Sequence, residues 1–203
     1  RQQSLHLNEY SSALATLAEL EVTYPCFCTR KQVREEIAFS VSALQGPVGP
    51  IYPGKCRHLS KNERQDRMAG GENFAIRLNV SEAKKLIPSG LSWIDRQTGS
   101  EPLVASLYGD VVIARKDIST SYHLAVSVDD AIQGINLVCR GKDLFNATHI
   151  HRLLQQLLNI PTPIYDHHNL INNKEGLRLS KRDSSTSLQS FRKSGMTSLQ
   201  LRQ

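Results

Sequence analysis

The order of strand-like and helix-like segments in this chain predicts an α/β fold: a parallel sheet covered by helices, carrying a small mixed α/β insertion. Three observations lead there. From residue 121 onward helical and strand patterns alternate, whereas residues 57–115 hold short strands grouped around turns. Two cysteines one residue apart, Cys26 and Cys28, are followed by a Pro/Gly-rich return that brings up Cys56, which marks a compact knuckle where the insertion begins. With 203 residues, 39% hydrophobic and 22% charged, the chain is long enough to bury one core and an added lobe.

Residues 4–21 place Leu7, Tyr10, Leu14, Leu17 and Ala18 at three- and four-residue steps, the stripe of an amphipathic helix. The chain opens on Arg1 with this helix and no preceding strand, so the sequence is expected to begin partway through a domain. Thr29 and Gln32 have the spacing of a capping box, and Val33, Ile37, Val41 and Leu44 continue a second helical stripe. "QGPVGPIYPGK", residues 45–55, holds three prolines and three glycines, which forces a turn and return that delivers Tyr52 and Cys56. Ser60 and Glu63 suit another helix start. "FAIRLNV" alternates as a strand, "LSWIDRQTGSEPLV" reads as two strands around a Thr-Gly turn, and "DVVIARK" as a further strand. Beyond these, "SYHLAVSVDDA" reads as a helix, "INLVCRG" as a buried strand, residues 144–158 as a leucine-rich helix and "PIYDHHNLI" as a strand. The last twenty residues, rich in Ser, Gln and Lys, read as loop with a frayed end.

A net charge of +6 and a pI of 9.3 favour acidic partners such as nucleic acid or phosphorylated molecules. No apolar run approaches the roughly 18 residues of a membrane span. Nothing near residue 1 resembles an export signal, so no membrane partner is expected and the cytoplasm is the expected compartment. A Cys26–Cys28 disulfide would close a strained small ring, which leaves a metal as the stronger explanation of the pair. Cys26, Cys28 and Cys56 with the Tyr52 phenol make four donors for a tetrahedral zinc. Alternatively, the three thiols are small buried hydrophobes. Cys139 sits in an apolar strand and is expected in the core. His149 and His151, and the adjacent His167 and His168, lack the spacing that aims two imidazoles at one ion from a helix, and are expected at the surface or supporting loops.

Two stretches suggest ligand chemistry. "LRLSKRD", residues 177–183, sets a Ser-Lys pair among basic residues, as a phosphate-gripping loop requires; a solvated basic loop is the alternative. Residues 121–144 couple Tyr122 on a helix with Arg140 at a strand end, where a guanidinium fork could hold a carboxylate. The competing role for Arg140 is a structural ion pair with Asp129, Asp130 or Asp143.

Taken in order, Cys-x-Cys, "PIYPGKCR", "YHLAVSVDD…QG…VCRGKDL" and "LRLSKRD" resemble the glutamyl-tRNA synthetase-like class I aminoacyl-tRNA synthetases over nearly the whole chain. The resemblance implies their Rossmann-like catalytic fold, incomplete at its N-terminus because the His-Ile-Gly-His-type motif is absent from this sequence. It divides the chain into residues 1–25, ending the first half of the nucleotide-binding fold, 26–115, the zinc-containing insertion, and 116–203, the second half with its signature loop. It implies zinc on Cys26, Cys28, Tyr52 and Cys56, L-glutamate on Tyr122 and Arg140, and ATP with Mg²⁺ at Arg178, Leu179, Ser180, Lys181 and Arg182, with Lys181 as the catalytic lysine. That loop opens on Arg rather than Lys and closes on Arg rather than Ser. The implied reaction is activation of glutamate to glutamyl-adenylate and, in the branch most resembled, its transfer to the queuosine base in the anticodon region of tRNA(Asp), by a monomer. An ordinary glutamyl-tRNA synthetase fragment and a non-catalytic, zinc-stabilised RNA-binding module are the alternatives. Without the first motif, this stretch by itself is expected to be inactive.

Overall fold

The computed structural model describes residues 1–39, 45–46, 49–115, 120–172 and 187–200. Helix α1, Leu7–Glu19, forms on the predicted stripe and buries Tyr10 and Leu17. Strand β1, Thr23–Cys26, leads to helix α2, Arg30–Phe39. The predicted capping box closes at the start of α2: the Thr29 amide donates to Gln32 Oε1 at 2.8 Å and the Gln32 amide to Thr29 Oγ1 at 3.2 Å. The Pro/Gly return contains a minimal hairpin, β2 at Gln45–Gly46 and β3 at Gly49–Pro50. Helix α3, Lys61–Ala69, starts on a second capping box, Ser60 with Glu63.

Strand β4, Ala75–Leu78, is shorter than its alternating stretch. Asn79 breaks it by accepting from the Glu82 amide and capping helix α4, Val80–Lys85. Strands β5, Ser92–Asp95, and β6, Gly99–Pro102, form the predicted hairpin, and β7 follows at Val112–Arg115. Gly99 sits at φ 90°, the left-handed conformation that the hairpin turn needs and that a Cβ would strain. Helix α5, Tyr122–Ile132, strand β8, Leu137–Gly141, helix α6, Thr148–Leu157, and strand β9, Ile164–His168, supply the alternating part. The helix expected over 144–158 starts later, at Thr148, and Leu144 ends a separate 3₁₀ turn over residues 142–144. Ser187 caps a last helix, α7, Leu188–Lys193, inside the stretch expected to be loop.

Two larger sheets result. One is antiparallel in the order β1-β4-β7, with Pro25 tolerated because β1 is its outer strand. The other has the order β6-β5-β9-β8, with β8 parallel to β9 and β9 parallel to β5. The hairpin β5–β6, grouped with the insertion by sequence position, therefore hydrogen-bonds into the sheet of the C-terminal part. Among the described residues β8 is the outer strand of this sheet, and Leu137 and Cys139 on one of its faces are exposed, whereas Cys139 was expected in the core.

One core joins α1, β4, α4, β7, α5 and α6 through Tyr10, Leu17, Leu78, Val80, Ile113, Leu124, Ile150, Leu153 and Leu154. Asp129 of α5 ties α1 to it, accepting from the Tyr10 hydroxyl at 2.8 Å and pairing with Arg1 at 2.9 Å. A smaller cluster, Tyr24, Cys26, Phe27, Tyr52 and Cys56, forms the other lobe. Asp110 bridges the two: it accepts from the Tyr24 hydroxyl at 2.6 Å, from Arg57 at 3.2 Å and from the Val80 amide at 3.0 Å. Among the described residues no helix is long and apolar enough to cross a membrane.

Candidate functional site

Parallel pairing places Arg140, near the C-terminal end of β8, beside His167 of β9. From there its guanidinium reaches over the start of both helices. Nε donates to His167 Nε2 at 3.0 Å; one terminal nitrogen meets the Tyr122 hydroxyl at 3.3 Å and His151 Nδ1 at 3.2 Å. The other donates to Thr148 Oγ1 at 2.7 Å and to the Leu144 carbonyl at 3.2 Å. Arg140 and Tyr122, paired by sequence, are thus in contact. Tyr122 is 47% exposed, so this side of the fork faces outward while the histidine side is buried. Of the carboxylates weighed as ion-pair partners of Arg140, Asp129 is engaged with Arg1 and Tyr10.

Of the four histidines expected at the surface or supporting loops, His168 is exposed and the other three are buried. His149, His151 and His167 are each at most 4% exposed. His149 Nδ1 accepts from the Trp93 indole at 3.3 Å and from the Val104 amide at 3.2 Å, which fastens α6 to the β5–β6 hairpin. His151 Nε2 lies 3.1 Å from His123 Nδ1, and His167 Nδ1 lies 2.6 Å from Asp95 Oδ2. Burial, with Arg140 nearby, holds His123 down to about 4 and His151 well below the ordinary imidazole value. Burial and Arg140 also outweigh the Asp95 carboxylate and leave His167 lowered. Asp95 itself, against the upward push of burial, is held low by His167 and the Gln97 amide. The sequence signal for this arrangement is the three-residue step from Thr148 to His151, which puts both on the face of α6 that Arg140 reaches.

Cys26, Cys28 and Cys56 converge with their sulfurs all within 4.8 Å of one another. The Tyr52 hydroxyl is 3.4 Å from Cys26 Sγ and 3.5 Å from Cys28 Sγ, and Cys28 Sγ is 3.4 Å from Cys56 Sγ. A tetrahedral zinc with sulfur at ~2.3 Å and oxygen near ~2.1 Å has donor–donor edges of about 3.6–3.8 Å, so these three contacts need only a slight expansion to admit an ion. The Phe27 amide donates to Cys56 Sγ at 3.4 Å, the support a thiolate ligand takes from the backbone. Burial pushes Cys28 up to about 11 and raises Tyr52; Cys56 is held low against burial by bonds from Tyr52, the Phe27 amide and the other thiols. A divalent cation would resolve that competition for protons, since it favours the deprotonated form of every donor.

Between this knuckle and Tyr122 opens a cleft of about 1100 Å³ whose lining includes Arg30, Arg34, Arg77, Arg115 and Tyr122, a concentration of cations suited to a polyanion. Arg77 also lies 3.8 Å from the centre of the Tyr52 ring. The signature stretch with Arg178, Leu179, Ser180, Lys181 and Arg182 falls outside the described residues.

Residues 1–203 match the family described as class I tRNA synthetases (E and Q), catalytic domain. A glutamyl-Q tRNA(Asp) synthetase of Rhodobacter capsulatus is 38% identical over 98% of this chain and 72% of its own length. One from Nocardia farcinica is 38% identical over 95% of this chain and 58% of its own, and a glutamate–tRNA ligase 2 of Syntrophus aciditrophicus is 33% identical over 96% and 38%. The chain thus spans between 38% and 72% of the length of these relatives. A glutamate-tRNA synthetase from Elizabethkingia anophelis shares the fold, with a TM-score of 0.69 and 21% identity over 90% of this chain and 37% of its own.

Proposed function

Since the chain belongs to the family of class I tRNA synthetase catalytic domains for glutamate and glutamine, we propose that the protein activates L-glutamate with ATP and transfers it to the queuosine base of tRNA(Asp). The observation that carries the amino-acid part is the contact of Arg140 with Tyr122 at the C-terminal end of a parallel strand, where open α/β sheets bind ligands. Arg140 would hold a carboxylate through the N–H that now meets exposed Tyr122, the carboxylate taking over that donor and the Tyr122 hydroxyl orienting it.

In this reaction the glutamate carboxylate attacks the α-phosphorus of ATP, pyrophosphate leaves, and the RNA hydroxyl then attacks the activated carbonyl and releases AMP. Such chemistry is governed by positioning and charge neutralisation, the roles proposed for the 178–182 loop, with Lys181 at the phosphates and Mg²⁺ entering with ATP. Zinc at Cys26, Cys28, Tyr52 and Cys56 would cross-link the knuckle, beside which the arginine cleft faces the RNA. The domain division at residues 25 and 115, and action as a monomer, belong to the same proposal.

The ordinary glutamyl-tRNA synthetase is the second reading, because relatives of both names match the same residues. ATP–pyrophosphate exchange by the intact gene product separates the two. Exchange with glutamate in the absence of tRNA, followed by labelling of queuosine-containing tRNA(Asp), is the expected result. A strict tRNA requirement with labelling of the 3′ end of tRNA(Glu) would select the second reading, and no exchange under either condition would refute both.

A further inference from the structure

The five N–H bonds of Arg140 meet five acceptors, and a guanidinium offers no acceptor of its own, so the direction of each bond is fixed. His167 Nε2 must present a lone pair to Arg140 Nε, which leaves the His167 proton on Nδ1, where it donates to Asp95 Oδ2 at 2.6 Å. Asp95 is 1% exposed, and its other oxygen accepts from the Gln97 amide at 2.8 Å and the Thr98 amide at 3.3 Å, in the turn of the β5–β6 hairpin. The carboxylate is thereby clamped by backbone on one side and aimed at the imidazole on the other. The His167 ring also lies parallel to the Tyr165 ring, with 7° between planes and 5.8 Å between centres, and the residue is buried.

We propose that Asp95 is a positioning residue for the amino-acid site: by fixing His167 as its Nδ1–H tautomer, it makes His167 the acceptor that sets the plane of the Arg140 guanidinium. This deepens the reading of Arg140 as the group that holds the glutamate carboxylate and rests on it. The planar fork of Arg140 transmits the constraint: anchoring Nε determines where the terminal nitrogens point, including the one shared with exposed Tyr122.

Asp95→Asn isolates the effect because it is isosteric and its orientation is forced. The two turn amides need an oxygen opposite them, so the asparagine NH₂ must face His167. His167 then turns acceptor at Nδ1 and carries its proton on Nε2, donor against donor with Arg140 Nε. Glutamate KM for exchange should rise about tenfold or more, the size expected when a buried donor loses its acceptor, while ATP KM stays within about twofold. Nitrogen-15 imidazole spectra of the intact gene product should show His167 protonated at Nδ1 in the parent and at Nε2 in the variant. A parent His167 protonated at Nε2, or at both nitrogens at neutral pH, overturns the proposal without any variant. So does a folded Asp95→Asn protein with parental glutamate KM, or one in which both KM values rise alike. If Arg140→Lys leaves glutamate use unchanged, the reading of Arg140 fails instead, and the spectra still decide the tautomer.

Discussion

Replacing Cys56 by serine separates a metal centre from three small buried hydrophobes, because serine keeps the volume and the hydrogen bond but binds zinc poorly. Cys56 Sγ accepts from the Phe27 amide at 3.4 Å and lies 3.4 Å from Cys28 Sγ, so a serine oxygen would still satisfy the amide. If the site were only packing, the loss would be a fraction of a kcal/mol. If it holds zinc, one of four ligands disappears from a site whose kind contributes about 10–16 kcal/mol in zinc-finger peptides, or roughly 3 kcal/mol for one ligand. For a chain of this size that lowers Tm by about 6–12 °C. The surroundings offer little to offset it: among the described residues the lobe buries Tyr24, Phe27 and Tyr52 with Cys26 and Cys56, and Cys28, Val33, Leu59 and Phe74 only in part. The assay is metal content by elemental analysis together with thermal unfolding, with and without chelator. Cys139→Ser, at an exposed edge position, serves as the control that should alter neither. Less than about half an equivalent of zinc in the parent, or a Cys56→Ser protein that melts with it, would refute the assignment.

Arg140→Ala should weaken glutamate use by roughly 2–5 kcal/mol while sparing ATP use, and equal losses for both substrates in exchange assays would point to a folding role. Lys181→Ala should depress exchange at least about tenfold, ~1.4 kcal/mol in the barrier, and an unchanged rate would remove the loop from the chemistry. Acid should destabilise the protein early. His123, His149, His151 and His167 all have lowered folded-state values, by burial first, in an environment that also contains Arg140, Asp95, Tyr108 and Tyr122. Below the unfolded value near 6.5 the unfolded chain takes up protons that the folded one refuses, so stability falls from there down to about 4 for His123. Within the window between its folded and unfolded values each such imidazole contributes up to about 1.4 kcal/mol per pH unit, and a urea midpoint at pH 5 equal to that at pH 7 would contradict the buried, neutral assignment.

Elements governed by local rules were legible in the sequence. The Thr29–Gln32 and Ser60–Glu63 boxes close as their spacing requires, and the Thr-Gly turn folds its hairpin, because each involves groups a few residues apart. Strand partners are set by contacts far along the chain, and there the reading fell short. Nothing in "LSWIDRQTGSEPLV" says that Asp95 will pair beside Tyr165, and apolar "INLVCRG" does not disclose that β8 takes an outer position. Short helices capped by one residue, α4 on Asn79 and α7 on Ser187, also escaped, since a polar residue before a few helix formers is a weak signal.

The candidate site divides along the same line. The zinc donors could be gathered from sequence because three of them carry a rare side chain and the Pro/Gly return supplies the geometry. Arg140 and Tyr122 could be paired through the resemblance, but the groups that orient them could not. Asp95, His151 and His167 come from a hairpin, a helix and a strand that are distant in the chain, and each has an unremarkable local pattern: a turn aspartate, a helical histidine, one of two adjacent histidines. Their common feature is burial in one chain of hydrogen bonds around a cation that can only donate, with the two histidines in contact with it and Asp95 behind His167. A buried guanidinium must be surrounded by acceptors, and in a site that also has to receive an anionic ligand those acceptors are best neutral, since a carboxylate in direct contact would compete with the ligand for the fork. Neutral histidine supplies such an acceptor and passes the remaining bond outward, to Asp95 on one side and His123 on the other. The carboxylate thus stands one imidazole away from Arg140 along this path, which leaves the exposed side of the fork as the place for the substrate's own charge.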